Sequence, residues 1–216
     1  MDSKFARIRI LIWDIDGTFY KMIPEIKRQY REREIAVIMN HTGWLHEQAN
    51  TAFYSLYPSL KSGTQTAAKL SGITTKAAAI EAETYIDRTS YITRDIQLID
   101  LFQKLNTFTH YLLVNGIRRK TVETLTHLGL KENQFQEIVT AEIVGETKPN
   151  PAGFTYIMQK TGSAPEEHLM IGDREEVDIV PAKKLGMKTC LVWSDTKSQI
   201  ADVTLSTVYE VASLFL

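Results

Sequence analysis

The sequence predicts an α/β fold: a parallel sheet with helices on both faces, interrupted by a helical insertion. Three observations predict it. Short apolar, β-branched runs alternate with longer helical patterns. The alternation breaks only between about residues 20 and 92. Acids and turn residues gather where apolar runs end, at 14–18, 115–116 and 173–178.

The candidate strands are 7–13, 110–114, 137–141, 168–172, 188–193 and 202–205. Helical patterns lie near 95–106, 117–129, 151–161, 178–186 and 207–215. A strand followed by a helix, repeated, is the pattern of a parallel sheet covered on both faces. Gly129 and Gly186 stand just past apolar helical runs, where a glycine ends a helix. Pro149 and Pro151 open the helix that carries Phe154 and Ile157. Within the insertion a first helix over 24–40 carries Ile35, Val37, Ile38 and Met39, and Trp44 to Leu56 forms a second. Two more cover 64–70 and 75–86, with Pro58, Gly63 and Gly72 as punctuation. The predicted organisation is a core of 1–19 and 93–216 with an inserted helical domain of 20–92.

A chain of 216 residues is long enough for such a domain and insertion. Its net charge of -1 gives no electrostatic case for nucleic acid or an anionic membrane. Lys27-Arg28, Arg31 and Arg33 alternate with Glu25, Glu32 and Glu34 and read as a solvated helix face, as does Arg118-Arg119-Lys120. The single cysteine, Cys190, sits in a strand pattern and reads as a buried thiol; it fits a reducing compartment. The N-terminal apolar run carries Arg9, ends in Asp14 and makes a poor signal peptide. No stretch approaches the ~20 apolar residues of a membrane helix. The expected location is the cytoplasm.

Four segments carry chemistry, all at or just after predicted strand ends, where open α/β sheets bind ligands. Asp14-Ile15-Asp16-Gly17-Thr18 places two carboxylates two residues apart, on one side of an extended chain. Such a pair calls for a proton or a cation between its charges. Asn115-Gly116 follows the second strand and by itself is a turn. Lys148-Pro149-Asn150-Pro151 puts a lysine near a helix start, a place suited to an anion. Gly172-Asp173 with Asp178 adds two acids after another strand, and Asp178 could equally cap a helix.

In this order the segments resemble the haloacid dehalogenase-like hydrolase superfamily, over about residues 7–19 and 93–216. The likeness is strongest to its phosphoglycolate phosphatase-like and nucleotidase-like branch. It implies a Rossmann-like core and a C1-type helical cap inserted after the first motif. It also implies a magnesium-dependent phosphatase acting on a small phosphorylated metabolite. Asp14 would be the nucleophile and form an aspartyl-phosphate. Asp16 would protonate the leaving alkoxide and then activate water. Asp14, the Asp16 carbonyl and Asp173 would hold Mg2+. Lys148 would neutralise phosphoryl charge and keep Asp14 ionised. Asp178 would orient Lys148 or a metal-bound water. Asn115 and Gly116 would offer backbone donors to the phosphoryl oxygens, with Thr18 as a further donor.

The chain departs from the pattern at Val114, where the family has Ser or Thr before Asn-Gly. Losing one preorganised donor costs about 2.7–4 kcal/mol in a transition state, so reduced or specialised activity is expected. Asp16 argues against dehalogenation, because a halide leaves without a proton. Two other readings remain open: a phosphomutase, and a weakly catalytic relative that binds a ligand or a protein. Tyr20, His41, Trp44 and Arg94 are polar or aromatic residues of the cap or hinge, each read as packing or surface.

Overall fold

The computed structural model describes residues 3–215. Its centre is a six-stranded parallel sheet in the order β3-β2-β1-β4-β5-β6. The strands are β1 Ile10–Trp13, β2 Thr109–Leu113, β3 Glu137–Val139, β4 His168–Gly172, β5 Lys188–Leu191 and β6 Val203–Thr204. β1 pairs with β2 through Ile10 and Thr109, and with β4 through Ile10 and His168. The alternation of the strands divides their side chains between two cores. Leu11, Trp13, Leu112 and Ile171 join the cluster on one face. Ile10, Ile12, Leu113 and Met170 join Phe154 and Ile157 on the other.

Four helices stand between β1 and the rest of the sheet: α1 Pro24–Thr42, α2 His46–Leu60, α3 Gly63–Ser71 and α4 Thr75–Ala82. They have a core of their own, built from Ile35, Val37, Ile38, Ala49, Phe53, Ala67 and Ala78. The chain then runs through short 3-10 turns to α5 Ile96–Lys104, α6 Arg118–Leu128, α7 Ala141–Val144, α8 Ala152–Thr161 and α9 Val180–Lys184. The insertion touches the core near Lys148. Ser62 Oγ lies 3.0 Å from Thr147 Oγ1, and Gln65 Nε2 donates to the Thr147 carbonyl at 2.6 Å.

Several elements differ from the sequence reading. The strand expected over 188–193 ends at Leu191, and Trp193 has a left-handed φ of 60°. The helix expected over 207–215 is a 3-10 helix over Val208–Leu214. The helix expected over 178–186 begins earlier, as a wide π turn over Glu175–Ile179 that leads into α9. Cys190 is buried, and burial pushes its thiol pKa up, as befits an inert core residue. Among the described residues, no helix is long and apolar enough to cross a membrane.

Phe154 is fully buried on the face of the sheet opposite Trp13. Phe154→Ala is expected to lower the unfolding free energy by about 3–5 kcal/mol, read as a fall in urea midpoint with little change in slope.

Candidate active site

β1 and β4 are neighbours and parallel, so their C-terminal ends open on one edge of the sheet. Asp14 leaves β1 there, and its amide still donates to the Ile171 carbonyl at 2.9 Å. Its carboxylate is held from two sides. Thr18 Oγ1 donates to Oδ2 at 3.1 Å, and Lys148 Nζ donates to Oδ1 at 2.6 Å. The same ammonium donates to Asp178 Oδ1 at 2.7 Å. Lys148 is 2 % exposed.

The backbone of Lys148 is fixed by Asn115. The Lys148 amide donates to Asn115 Oδ1 at 2.7 Å, and Asn115 Nδ2 donates to the Lys148 carbonyl at 2.9 Å. Asp178 reaches back across the π turn, where its Oδ2 accepts from the Arg174 amide at 3.1 Å. It therefore serves Lys148 and the loop, and does not cap α9. Two glycines allow these close approaches. A Cβ on Gly17, at φ 95°, would lie 2.3 Å from Asp173 Oδ2. One on Gly172 would lie 2.5 Å from the Asp178 Cβ.

Asp14, Asp173 and Asp178 each bring an oxygen within 4.8 Å of the others. Asp173 Oδ1 is buried and has no hydrogen-bond partner among the described residues. Burial first, and then the charges of Asp14 and Asp178, push the Asp173 pKa up to about 8. Burial also raises Asp14, against the pull of Lys148. Burial opposes the Lys148 charge, but Asp14 and Asp178 outweigh it and hold the ammonium protonated. Lys148 bonds two of the three carboxylates, leaving Asp173 without a direct cationic partner. A hard divalent cation with oxygen ligands fits that deficit and the orphaned Asp173 oxygen.

Asp16 lies outside this acidic cluster. It accepts a hydrogen bond from the Tyr20 hydroxyl and sits 3.5 Å from Arg88 Nη1. Burial would raise its pKa, but Arg88 and Tyr20 bring it below the usual carboxylate range. Arg88 in turn pairs with Glu83, whose other oxygen accepts from Arg33 Nη1 at 2.7 Å. Arg33, Glu83 and Arg88 are all buried.

A cavity of about 600 Å³ lies over these groups. Asp14, Asp16, Asp173, Arg174 and Asn115 line its sheet side. Lys27, Tyr30, Arg31, Arg33 and Glu34 line it from α1. Trp193 lines it too, and its Nε1 donates to the Thr18 carbonyl at 2.8 Å. A bulky residue at positive φ costs about 1–3 kcal/mol, and such strain persists where surrounding contacts enforce it. The Thr18 bond is one such contact.

The fold thus gathers Asp14, Lys148, Asp173 and Asp178, with Asn115 and Asp16 beside them. It does not bring every expected residue to the cavity. Thr18 is fully buried and supports Asp14 instead of lining the space. Gly116 is turned toward Glu83, which a Cβ would meet at 3.0 Å. Val114 packs in the core cluster with Leu112. Lys148 answers two carboxylates and not a helix N-terminus. Tyr20 holds Asp16, whereas His41 pairs with Glu81, Trp44 is exposed and Arg94 lines a separate cavity.

The charged run of α1 corrects the sequence reading most. Arg33 and Glu34 are buried and, with the half-buried Arg31, form a cavity wall, whereas Glu25, Lys27, Arg28 and Glu32 are exposed as the sequence reading expects, Lys27 at the cavity rim. The available signal was spacing: 27, 30, 31 and 34 share one side of a helix. Arg88 carried no comparable signal.

The model of the haloacid dehalogenase-like hydrolases matches residues 11–192, and the chain belongs to that family. Over 98 residues it is 37% identical to the glyceraldehyde 3-phosphate phosphatase of Methanothermobacter thermautotrophicus, covering 45% of this chain and 42% of that protein. Over 75 residues it is 40% identical to the phosphoglycolate phosphatase of Aquifex aeolicus, covering 33% of this chain and 35% of that one. The matches thus span less than half the length of these relatives. In fold it is similar to a HAD phosphatase from Thermococcus onnurineus, with a TM-score of 0.64, 21% identity and coverage of 96% of this chain and 97% of that one.

The raised Asp173 gives a pH dependence. The folded protein keeps a proton on Asp173 that the unfolded chain releases near the usual carboxylate pKa. Between that value and about 8, folding binds the extra proton, so this contribution to stability falls as pH rises. In metal-free buffer the urea midpoint is expected to drop across this window, and Asp173→Asn to drop less steeply. Parallel curves would refute the assignment.

Proposed function

We propose that this protein is a magnesium-dependent phosphatase that acts on a small phosphorylated metabolite through an aspartyl-phosphate on Asp14. The observation that carries the proposal is the Lys148 ammonium, buried between Asp14 and Asp178 beside the unpaired Asp173 oxygen. The names of the relatives, phosphatases of glyceraldehyde 3-phosphate and of phosphoglycolate, support it. Asp14, Asp173 and the Asp16 carbonyl would hold magnesium, which supplies positive charge against the phosphoryl oxygens.

Asp14 attacks phosphorus through a carboxylate oxygen, and the bond from phosphorus to the leaving oxygen breaks. Thr18 and Lys148 fix the rotamer of that carboxylate. Lys148 also offers positive charge where phosphoryl charge gathers. Asp16 delivers a proton to the leaving oxygen and later takes one from the attacking water. Arg88 favours the ionised form of Asp16, the form that takes the proton. Protonating the leaving group therefore requires the Arg88 contact to weaken when substrate binds. The insertion acts as the cap that encloses the leaving group. Val114, packed in the core, leaves the enclosing donors to the loops and to the cap.

A panel of phosphorylated metabolites with magnesium, run beside Asp14→Asn, tests the proposal. At least one compound is expected to be hydrolysed, with loss of turnover on chelation. Asp14→Asn is expected to fall by about a thousand-fold or more, as for removal of a nucleophile. Equal inactivity of both proteins across the panel refutes it.

A further inference from the structure

We infer that the α1 wall of the cavity is a subsite for a second anionic group of the substrate, a carboxylate or phosphoryl group set apart from the one transferred. The inference rests on the phosphatase reading for the position of the transferred group, beside Asp14. That end of the cavity has its own positive charge in Lys148. The groups of the α1 wall come from a different element and face the remainder of the space.

Two kinds of incomplete bonding coincide on this wall. The first is charge. Glu34 takes Arg31 at 3.1 Å, and Glu83 takes both Arg33 and Arg88. Lys27 of α1 and Lys21, just before it, also line the cavity as exposed side chains, and among the described residues neither has a carboxylate within 4.0 Å. The Lys21 ammonium sits 4.9 Å from the centre of the Trp193 ring, which keeps it at the cavity.

The second is hydrogen bonding. Arg33 Nε is buried and, among the described residues, has no hydrogen-bond partner, whereas the buried Tyr30 hydroxyl beside it is turned to Asp16. Arg33 is 4 % exposed and lines the cavity, as Tyr30 does. The Arg33 guanidinium lies 4.0 Å from the centre of the Tyr30 ring, which holds it against the wall. A buried donor without an acceptor costs about 1–3 kcal/mol. The orphan Arg33 Nε is a donor, and the two lysines without a carboxylate partner are positive. An oxyanion answers both deficits, whereas a neutral polar group answers only the second. A cavity of about 600 Å³ has room for such a group beyond the phosphoryl.

Calorimetric titration of the wild-type chain with magnesium and phosphonates, which are not hydrolysed, tests the inference. The probes are 3-phosphonopropanoate, its neutral primary amide, and ethane-1,2-bisphosphonate. The acid or the bisphosphonate is expected to bind about ten-fold or more tightly than the amide, the size of a charge-assisted hydrogen bond. Whichever of the two binds more tightly identifies the second group. Lys27→Met is expected to shrink the ratio to about three-fold or less, and circular dichroism establishes that the variant is folded. A ratio near one in the wild type, an undiminished ratio in folded Lys27→Met, or no binding of any probe overturns the inference. A retained ratio in a protein that hydrolyses no phosphomonoester upholds the subsite and retires the phosphatase reading alone.

Discussion

The Lys148 ammonium, held between Asp14 and Asp178, is the interaction on which the rest of the site depends. Removing one partner from a buried ionic network costs about 3–5 kcal/mol, because the remaining charge has neither water nor counterion. The arrangement explains why so many local features converge on it. Asn115 clamps the lysine backbone, the π turn lets Asp178 reach inward, and Gly17 and Gly172 clear space for carboxylates. The network is also unbalanced in its charges. Among the described residues Asp173 has no hydrogen bond on one oxygen, an imbalance that a hard cation would fit.

The helical insertion is tied to this network from outside. Its Ser62 and Gln65 bond the residue just before Lys148, and its Arg33 reaches Asp16 through Glu83 and Arg88. The separate core around Phe53 and Ile38 lets the insertion pack as a body of its own. Polar contacts at its margin therefore set where its α1 wall stands over Asp14.

Much of the fold was legible because strand alternation and helix periodicity act locally. Leu11 and Trp13 had to face one way and Ile10 and Ile12 the other once β1 lay inside a sheet. The acids at strand ends were legible because their motifs are contiguous. What was not legible depends on distance in sequence. Thr18 carries the same hydroxyl whether it faces substrate or Asp14, and only the packed structure decides. Arg33 looked solvated because its partner, Glu83, lies far along the chain. Trp193 looked like the end of a strand because an apolar run does not record a change in the sign of φ.

β1 is made before both of its partner strands and is complete only when the second of them has emerged. It lies at the middle of the sheet, with one edge answered by Thr109–Leu113 and the other by His168–Gly172. Contacts so distant in sequence slow folding, since loop closure precedes any gain from pairing. Until both partners exist, Ile10-Leu11-Ile12-Trp13 is an apolar strand with two open edges, the form most prone to pair with another chain. The central position that buries Asp14 thus makes the nascent protein dependent on protection until β4 emerges.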